Sequence, residues 1–309
     1  MYSYTHKSAQ NAPRAAHAGR LDWKVRIVDM DDFEIRNLPG PFGAEVLGFE
    51  MDKHWTEDGR SRLRRAFDER GAFVFRDLDV DFAGQDRICR LLVGDESPTD
   101  PSKLHERRVS NRGDEDALAP NGRLLYHADA MWHPDQHRIV SLYGEMIEPG
   151  VARTILADSA NAWKTLPEDM RERLRGKQAW HESGQVYRRG GDDLARPQRT
   201  KEYSCVKPIP LIHPDTGEEL LFVSQQMTHY FVDMESDESE ALLMQLFDHL
   251  YDDDAVYVHE WREHDLLVID NIRMQHSREN VEKDGPARVL RKAIAPMGKM
   301  KTESPVYKS

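Results

Sequence analysis

The chain has 309 residues, with 43 Lys and Arg against 55 Asp and Glu, a formal charge of 43 − 55 = −12. That balance, with no basic stripe, argues against a nucleic-acid partner. Cys89 and Cys205 lie far apart and outside any C-x-x-C spacing, no run reaches the length of a membrane span, and the N-terminus lacks an apolar signal core. A soluble protein of the reducing cytoplasm, with no membrane partner, is expected.

With no repeat and no second composition regime, the sequence reads as one domain over residues 23–309 behind a loose, polar, Ala-rich arm over residues 1–22, where His6 and His17 are solvated. Val25 to Met30 and Phe33 to Leu38 read as short strands, and Gly40 to Met51 as a glycine-broken turn feeding another strand. Thr56 caps a helix to about Arg70, with Leu63, Ala66 and Phe67 on one face and Gly71 as its stop. Ala72 to Phe75 is a buried strand, and Phe82 to Leu92 a second helix.

From Glu96 to Gly122 the composition turns to Ser, Pro, Asp, Asn, Gly and charge, the signature of a long loop with a function or without order. Strands follow at His137 to Tyr143 and Ala152 to Ala157, then a helix from Thr165 to Leu174. A second polar loop, residues 183–201, carries Arg188, Arg189, Arg196 and Arg199, and reads as a basic lid or as a solvated one. Glu218 to Val223 is a strand and Met234 to Tyr251 a helix with an inward apolar stripe. The last strands, Ala255 to His259, Leu266 to Asp270 and Arg288 to Ile294, follow in hairpin-like order. Short strands without regular βαβ alternation predict a mainly β protein with flanking helices, an antiparallel barrel or jelly roll.

The long loop delivers the chain into Leu124-Leu-Tyr-His127-Ala-Asp129-Ala-Met-Trp132. If that run is extended, positions i and i+2 point the same way, so His127 and Asp129 present an imidazole and a carboxylate to one point. This is two-thirds of a facial two-His, one-carboxylate metal site. His-x-Asp also occurs at His133/Asp135 and His213/Asp215, but both carry a proline and suit turns. Asp270-Asn-(x)4-His276 offers a second imidazole at the end of an apolar strand, and Arg288 follows 288 − 276 = 12 residues later. An arginine on the neighbouring strand presents a planar fork suited to a bidentate acid.

In this order the motifs resemble the taurine dioxygenase and 2,4-dichlorophenoxyacetate dioxygenase family of iron(II)/2-oxoglutarate oxygenases, over roughly residues 25–296. Gly43-Ala-Glu-Val-Leu-Gly48, Phe73-Val-Phe-Arg-Asp77, His127-Ala-Asp129, Leu166-Pro-Glu and Asp270-Asn-(x)4-His276 each resemble a family segment. Thr154, 154 − 127 = 27 residues after His127, falls where the family places a threonine on the distal carboxylate of 2-oxoglutarate. The resemblance implies a double-stranded β-helix, or jelly roll, with Fe(II) on His127, Asp129 and His276. It places 2-oxoglutarate on Arg288 and Thr154, with O2 as the other cosubstrate. It further implies oxidation of a small organic substrate, most simply hydroxylation, with release of succinate and CO2. Asp129 stands where related halogenases have a small residue, which favours an oxygen-based outcome.

Two positions depart from the family pattern. Tyr126 stands where Trp is common before the iron-binding His, and Lys292, beside Arg291, stands where an arginine often grips a substrate anion. Tyr126, Arg291 and Lys292 are candidate substrate-binding residues, the last two compatible with an anionic substrate, while Trp132 reads equally as a pocket wall or as core packing. The residues taken alone leave open a zinc-dependent hydrolase and a non-catalytic jelly-roll binding protein. Oligomeric state is open, a homo-oligomer included.

Overall fold

A computed structural model describes residues 33–50, 56–95, 106–112, 117–183 and 203–294. The expected arm, the strand at Val25 to Met30 and the four arginines of the second loop lie outside these residues. The chain opens with β1 (Glu34–Asn37) and β2 (Ala44–Leu47), then helix α1 (Glu57–Arg70) and β3 (Ala72–Phe75). Helix α2 (Phe82–Leu92) leads to β4 (Arg107–Ser110), β5 (Gly122–His127), β6 (Ile139–Ile147) and β7 (Thr154–Asp158). Two short helices, α3 (Ser159–Thr165) and α4 (Glu168–Leu174), precede β8 (Lys177–Glu182) and β9 (Ser204–Ile209). After β10 (Leu211–Ile212), β11 (Glu219–Leu220) and β12 (Thr228–Phe231) come α5 (Ser236–Leu250), β13 (Val256–His259), β14 (Leu266–Asp270), β15 (Met274–Val281) and β16 (Arg288–Ile294).

Two sheets face each other. One has seven strands in the order β1-β2-β3-β14-β6-β16-β4, the other four in the order β13-β7-β15-β5. All pairings are antiparallel except β2 with β3. The expected hairpins among the last strands are corrected. β13 and β15 belong to the four-stranded sheet, β14 and β16 to the seven-stranded one, so the chain crosses between sheets at every turn. A strand–turn–strand pattern does not distinguish a hairpin from such a corner. This alternation is the winding of a double-stranded β-helix.

The two faces of β14 feed two cores. Leu266 and Val268 pack under α1 and α2 with Leu63, Phe67, Phe73 and Phe75, while Leu267 and Ile269 point between the sheets toward Val74, Val140 and Leu290. A third apolar layer, with Trp163, Leu242, Leu246, Phe231 and Ile209, joins α3 and α5 to the small sheet β12-β8-β9. α1 begins and ends as its sequence dictates. The Thr56 hydroxyl accepts from the Gly59 N–H at 3.1 Å, and Gly71 takes φ +71° as the cap. A Cβ at Gly71 would also stand 2.8 Å from the Met274 sulfur, so β15 docks against this glycine.

Other expectations change. The loop over residues 96–122 contains β4, paired with β16. The helix expected over Thr165 to Leu174 begins only at Glu168, because Leu166, ahead of Pro167, is held extended with ψ 141°, and an unexpected helix, α3, ends at Thr165. The strand expected over Glu218 to Val223 shortens to Glu219–Leu220. β8, β9 and β12 were not expected.

Candidate functional site

His127 ends β5, and its register partner on β15 is His276, so antiparallel pairing alone brings the two imidazoles together between the sheets. Their ring centroids are 4.3 Å apart. Asp129 reaches them differently from the expectation of one extended run. It lies in a turn beyond the end of β5, and Ala130 after it takes φ +54°. The turn is held from outside: Asn271 Oδ1 accepts the Asp129 N–H at 2.7 Å, while Asn271 Nδ2 donates to the Asp129 carbonyl at 2.9 Å and the His137 carbonyl at 3.0 Å. Gln136 donates in turn to the Asn271 carbonyl at 2.7 Å and accepts from the Lys207 ammonium at 3.1 Å. Neither Asn271 nor Gln136 was picked out as a site residue from sequence, although Asn271 stands within the Asp-Asn-(x)4-His motif.

Asp129 Oδ1 lies 3.6 Å from His127 Nε2 and 4.0 Å from His276 Nε2. His127 Nδ1 is 2.8 Å from the Leu125 carbonyl, which fixes the proton on Nδ1 and leaves the Nε2 lone pair facing Asp129. Burial, reinforced by the neighbouring His127, pushes the His276 pKa down to about 3, so this ring is neutral. Burial opposes ionisation of Asp129, but the Lys292 ammonium beside it outweighs this and holds the carboxyl well below its usual range. Lys292 forms an ion pair with Asp129 Oδ2, which leaves Oδ1 toward the histidines. The donor set fits a metal ion: two imidazole nitrogens and one carboxylate oxygen, all within 4.8 Å of one another. Among the described residues this is the one group of three or more His, Cys, Asp or Glu so placed.

A second, cationic cluster lies further along the same strands, where Thr154 pairs with Arg278 and meets Arg288. Arg288 is 3 % exposed and donates through Nε to the Ala152 carbonyl at 2.9 Å and through Nη2 to Thr154 Oγ1 at 3.1 Å. Trp261 Nε1 also donates to Thr154 Oγ1, at 3.0 Å, and its ring lies 5.8 Å from the guanidinium carbon. Two donors occupy both lone pairs of the Thr154 hydroxyl, so its own hydrogen is left to donate. Among the described residues no carboxylate pairs with Arg288. Burial, with the charge of Arg278 added, pulls its pKa down to about 9, the mark of a cation without a counter-ion. The expected neighbouring strand is corrected in one respect. Arg288 and His276 lie on consecutive strands of opposite sheets, not on neighbouring strands of one sheet.

Two expected substrate residues turn away. Tyr126, one position before His127, faces the outer layer and stacks on Tyr251 at 3.9 Å between centroids. Arg291, between Leu290 and Lys292, points to the α2 side, where it donates to Gln85 Oε1 at 2.9 Å and the Val80 carbonyl at 2.6 Å. Successive residues of a strand face opposite sides, so neither side chain shares the face of the site residue next to it. Trp132 is buried against the outer apolar layer and stacks on the half-exposed ring of Tyr203 at 5.2 Å.

Residues 34–294 match the family described as Taurine catabolism dioxygenase TauD, TfdA family, and the chain belongs to that family. It is 26 % identical over 263 residues to (S)-phenoxypropionate/alpha-ketoglutarate-dioxygenase of Sphingobium herbicidovorans, a match covering 79 % of this chain and 88 % of the relative. With alpha-ketoglutarate-dependent 2,4-dichlorophenoxyacetate dioxygenase of Cupriavidus pinatubonensis it shares 25 % identity over 170 residues, 55 % of this chain and 59 % of the relative. Among solved structures, AAD-2 in complex with Mn(II) and N-oxalylglycine superposes with a TM-score of 0.69 at 22 % identity, over 86 % of this chain and 98 % of the other. A taurine dioxygenase from Burkholderia xenovorans superposes with a TM-score of 0.66 at 19 % identity, over 86 % and 91 % of the two chains. The fold is therefore the jelly roll of these dioxygenases. The protein is a 2-oxoglutarate-dependent dioxygenase, an oxidoreductase of a class that uses Fe(II), 2-oxoglutarate and O2 and acts on small molecules. No helix among the described residues is long and apolar enough to cross a membrane.

Proposed function

We propose that His127, Asp129 and His276 hold the Fe(II), that Arg288 and Thr154 grip the distal carboxylate of 2-oxoglutarate, and that the enzyme hydroxylates a small organic substrate. The observation that carries this reading is the pairing of a compact His/Asp/His donor set with a buried, unpaired guanidinium across the same cavity. Fe(II) with its cosubstrates supplies the oxidising chemistry: 2-oxoglutarate and O2 give succinate and CO2, and one oxygen atom passes to the substrate.

The protein contributes placement and charge. The two imidazoles offer ring nitrogens, Lys292 occupies the outer oxygen of Asp129 so that Oδ1 is the inward ligand atom, and Asn271 fixes the turn that carries it. The Arg288 fork and the Thr154 hydroxyl hydrogen are aimed at an anion before one arrives. With Lys292 engaged by Asp129, Arg291 turned toward α2 and Arg288 given to 2-oxoglutarate, β16 has no further cation for a substrate anion. The described residues share continuous layers, which supports a single catalytic domain, and the free, buried Cys89 and Cys205 are in keeping with a cytoplasmic setting.

The test is an anaerobic titration of metal-free protein with Fe(II) and 2-oxoglutarate, following the visible metal-to-ligand charge-transfer band. The band is expected in the wild type and absent in Asp129→Ala. Well-folded wild-type protein without the band would sink the assignment.

A further inference from the structure

Two residues beyond His276 on β15 stands Arg278, on the same inward face and cross-strand from Thr154. It is 4 % exposed. Nη1 donates to the Ala119 carbonyl at 2.7 Å and Nη2 to the carbonyls of Asn121 and Gly122, while the buried Nε–H has no acceptor. Among the described residues neither Arg278 nor Arg288 has a carboxylate partner. A buried cation ordinarily acquires one, because desolvating a charge is costly unless it is paired. Backbone carbonyls account for the Nη hydrogen bonds of Arg278 but leave its full charge unanswered. Two such guanidiniums converge here on one threonine.

We propose, resting on the assignment of Arg288 and Thr154 to the distal carboxylate, that Arg278 is a second cationic determinant of that subsite and makes it select 2-oxoacids with a distal carboxylate over those ending in a methyl group. The two arginines divide the work. Arg288 and Thr154 supply directional hydrogen bonds from β16 and β7. Arg278 supplies charge from β15 and ties the 119–122 segment over the end of the cavity. Coulomb attraction in a water-poor site falls only as the inverse of distance, so Arg278 acts without touching the carboxylate. A methyl-ended analogue gains none of this attraction and leaves both cations buried and unpaired.

The test is calorimetric titration of the Mn(II)-loaded full chain with 2-oxoglutarate and with 2-oxopentanoate, the same five-carbon chain with a methyl group in place of the distal carboxylate. Arg278→Met is expected to weaken 2-oxoglutarate by about tenfold or more and to leave 2-oxopentanoate within about twofold, because only the dianion feels the lost charge. Arg278→Lys is expected to recover most of the preference. Equal weakening of both ligands makes Arg278 only a strut for residues 119–122 and overturns the proposal, as does an unchanged 2-oxoglutarate Kd. If Arg278→Met does not fold, Arg278→Lys decides: the preference retained supports the charge role, and both ligands lost alike overturns it. A wild type with no preference for 2-oxoglutarate would instead fault the placement of the carboxylate on Arg288 and Thr154.

Discussion

At the His127–Asp129–His276 end of the cavity the charge is balanced, whereas at the Arg288–Thr154 end it is not. Asp129 has Lys292, and burial keeps the His276 imidazole neutral. Arg288 has a carbonyl, a hydroxyl and an indole face, none of which carries a negative charge. Each end has its own support, Asn271 clamping the turn of Asp129 and Trp261 donating to Thr154. The difference lies in what each lacks. In the proposed assignment a metal cation gathers the three donors at one end, and an anion answers the buried positive charge at the other. A chelating dianion that also reaches the arginine satisfies both.

Mutating each end separately should break this symmetry most strongly. Asp129→Ala should remove Fe(II) binding and lower turnover by about 10³-fold or more, because two imidazoles alone do not make the facial site. It also leaves Lys292 without its partner, so thermal unfolding of the metal-free protein should show a loss of about 1–3 kcal/mol. Arg288→Met should instead raise the 2-oxoglutarate Kd by about 100-fold, since a charge-assisted fork is lost. Its metal-free stability should change by about 1 kcal/mol or less, because the removed cation was already unpaired. Comparable losses of stability in the two variants would dissolve the contrast between the ends.

A smaller effect separates the ligand atoms from the frame behind them. Asn271→Ala keeps every donor of the metal set but frees the turn bearing Asp129 on both sides. Mn(II) affinity, read by titration, should fall by about 10–100-fold, as outer partners of metal ligands commonly do. An unchanged affinity would mean that the turn holds its shape without the clamp.

The sequence carries the parts of this site that depend on residue type and loses those that depend on direction. His127, Asp129, His276 and Arg288 could be singled out because imidazole, carboxylate, imidazole and guanidinium follow in an order that resembles the family, and Thr154 only through that resemblance; the structure brings the three metal-site candidates together and sets Arg288 on Thr154. Tyr126 and Arg291 were misplaced for a common reason: each adjoins a site residue along a strand and so faces the opposite side. The same parity, applied from His276, marks Arg278 as inward. β4 was hidden because Arg-Arg-Val-Ser has no apolar alternation, as an edge strand half in water needs none. The Asn271 clamp was unreadable for another reason, since it depends on a turn rather than on a strand pattern.

The weakest contrast lies farthest from the chemistry, in the buried ammonium that ends the chain of contacts from Asp129 through Asn271 and Gln136. Lys207 is 2 % exposed, donates to Gln136 Oε1 and sits 4.8 Å over the Phe222 ring. Burial pulls its pKa from 10.5 down to about 8, with Cys205 and Asp135 opposing. Between those two values the unfolded chain binds the proton that the folded chain has lost, so this group makes stability rise with pH from about 8 to about 10.5 and holds it lowest below 8. The full span is at most about 3 kcal/mol. Lys207→Met should remove the rise, seen as the difference between the two proteins in denaturant midpoint across that window. If the midpoints run parallel, Lys207 keeps an ordinary ammonium pKa, and the layer behind the metal end is wetter than its burial implies.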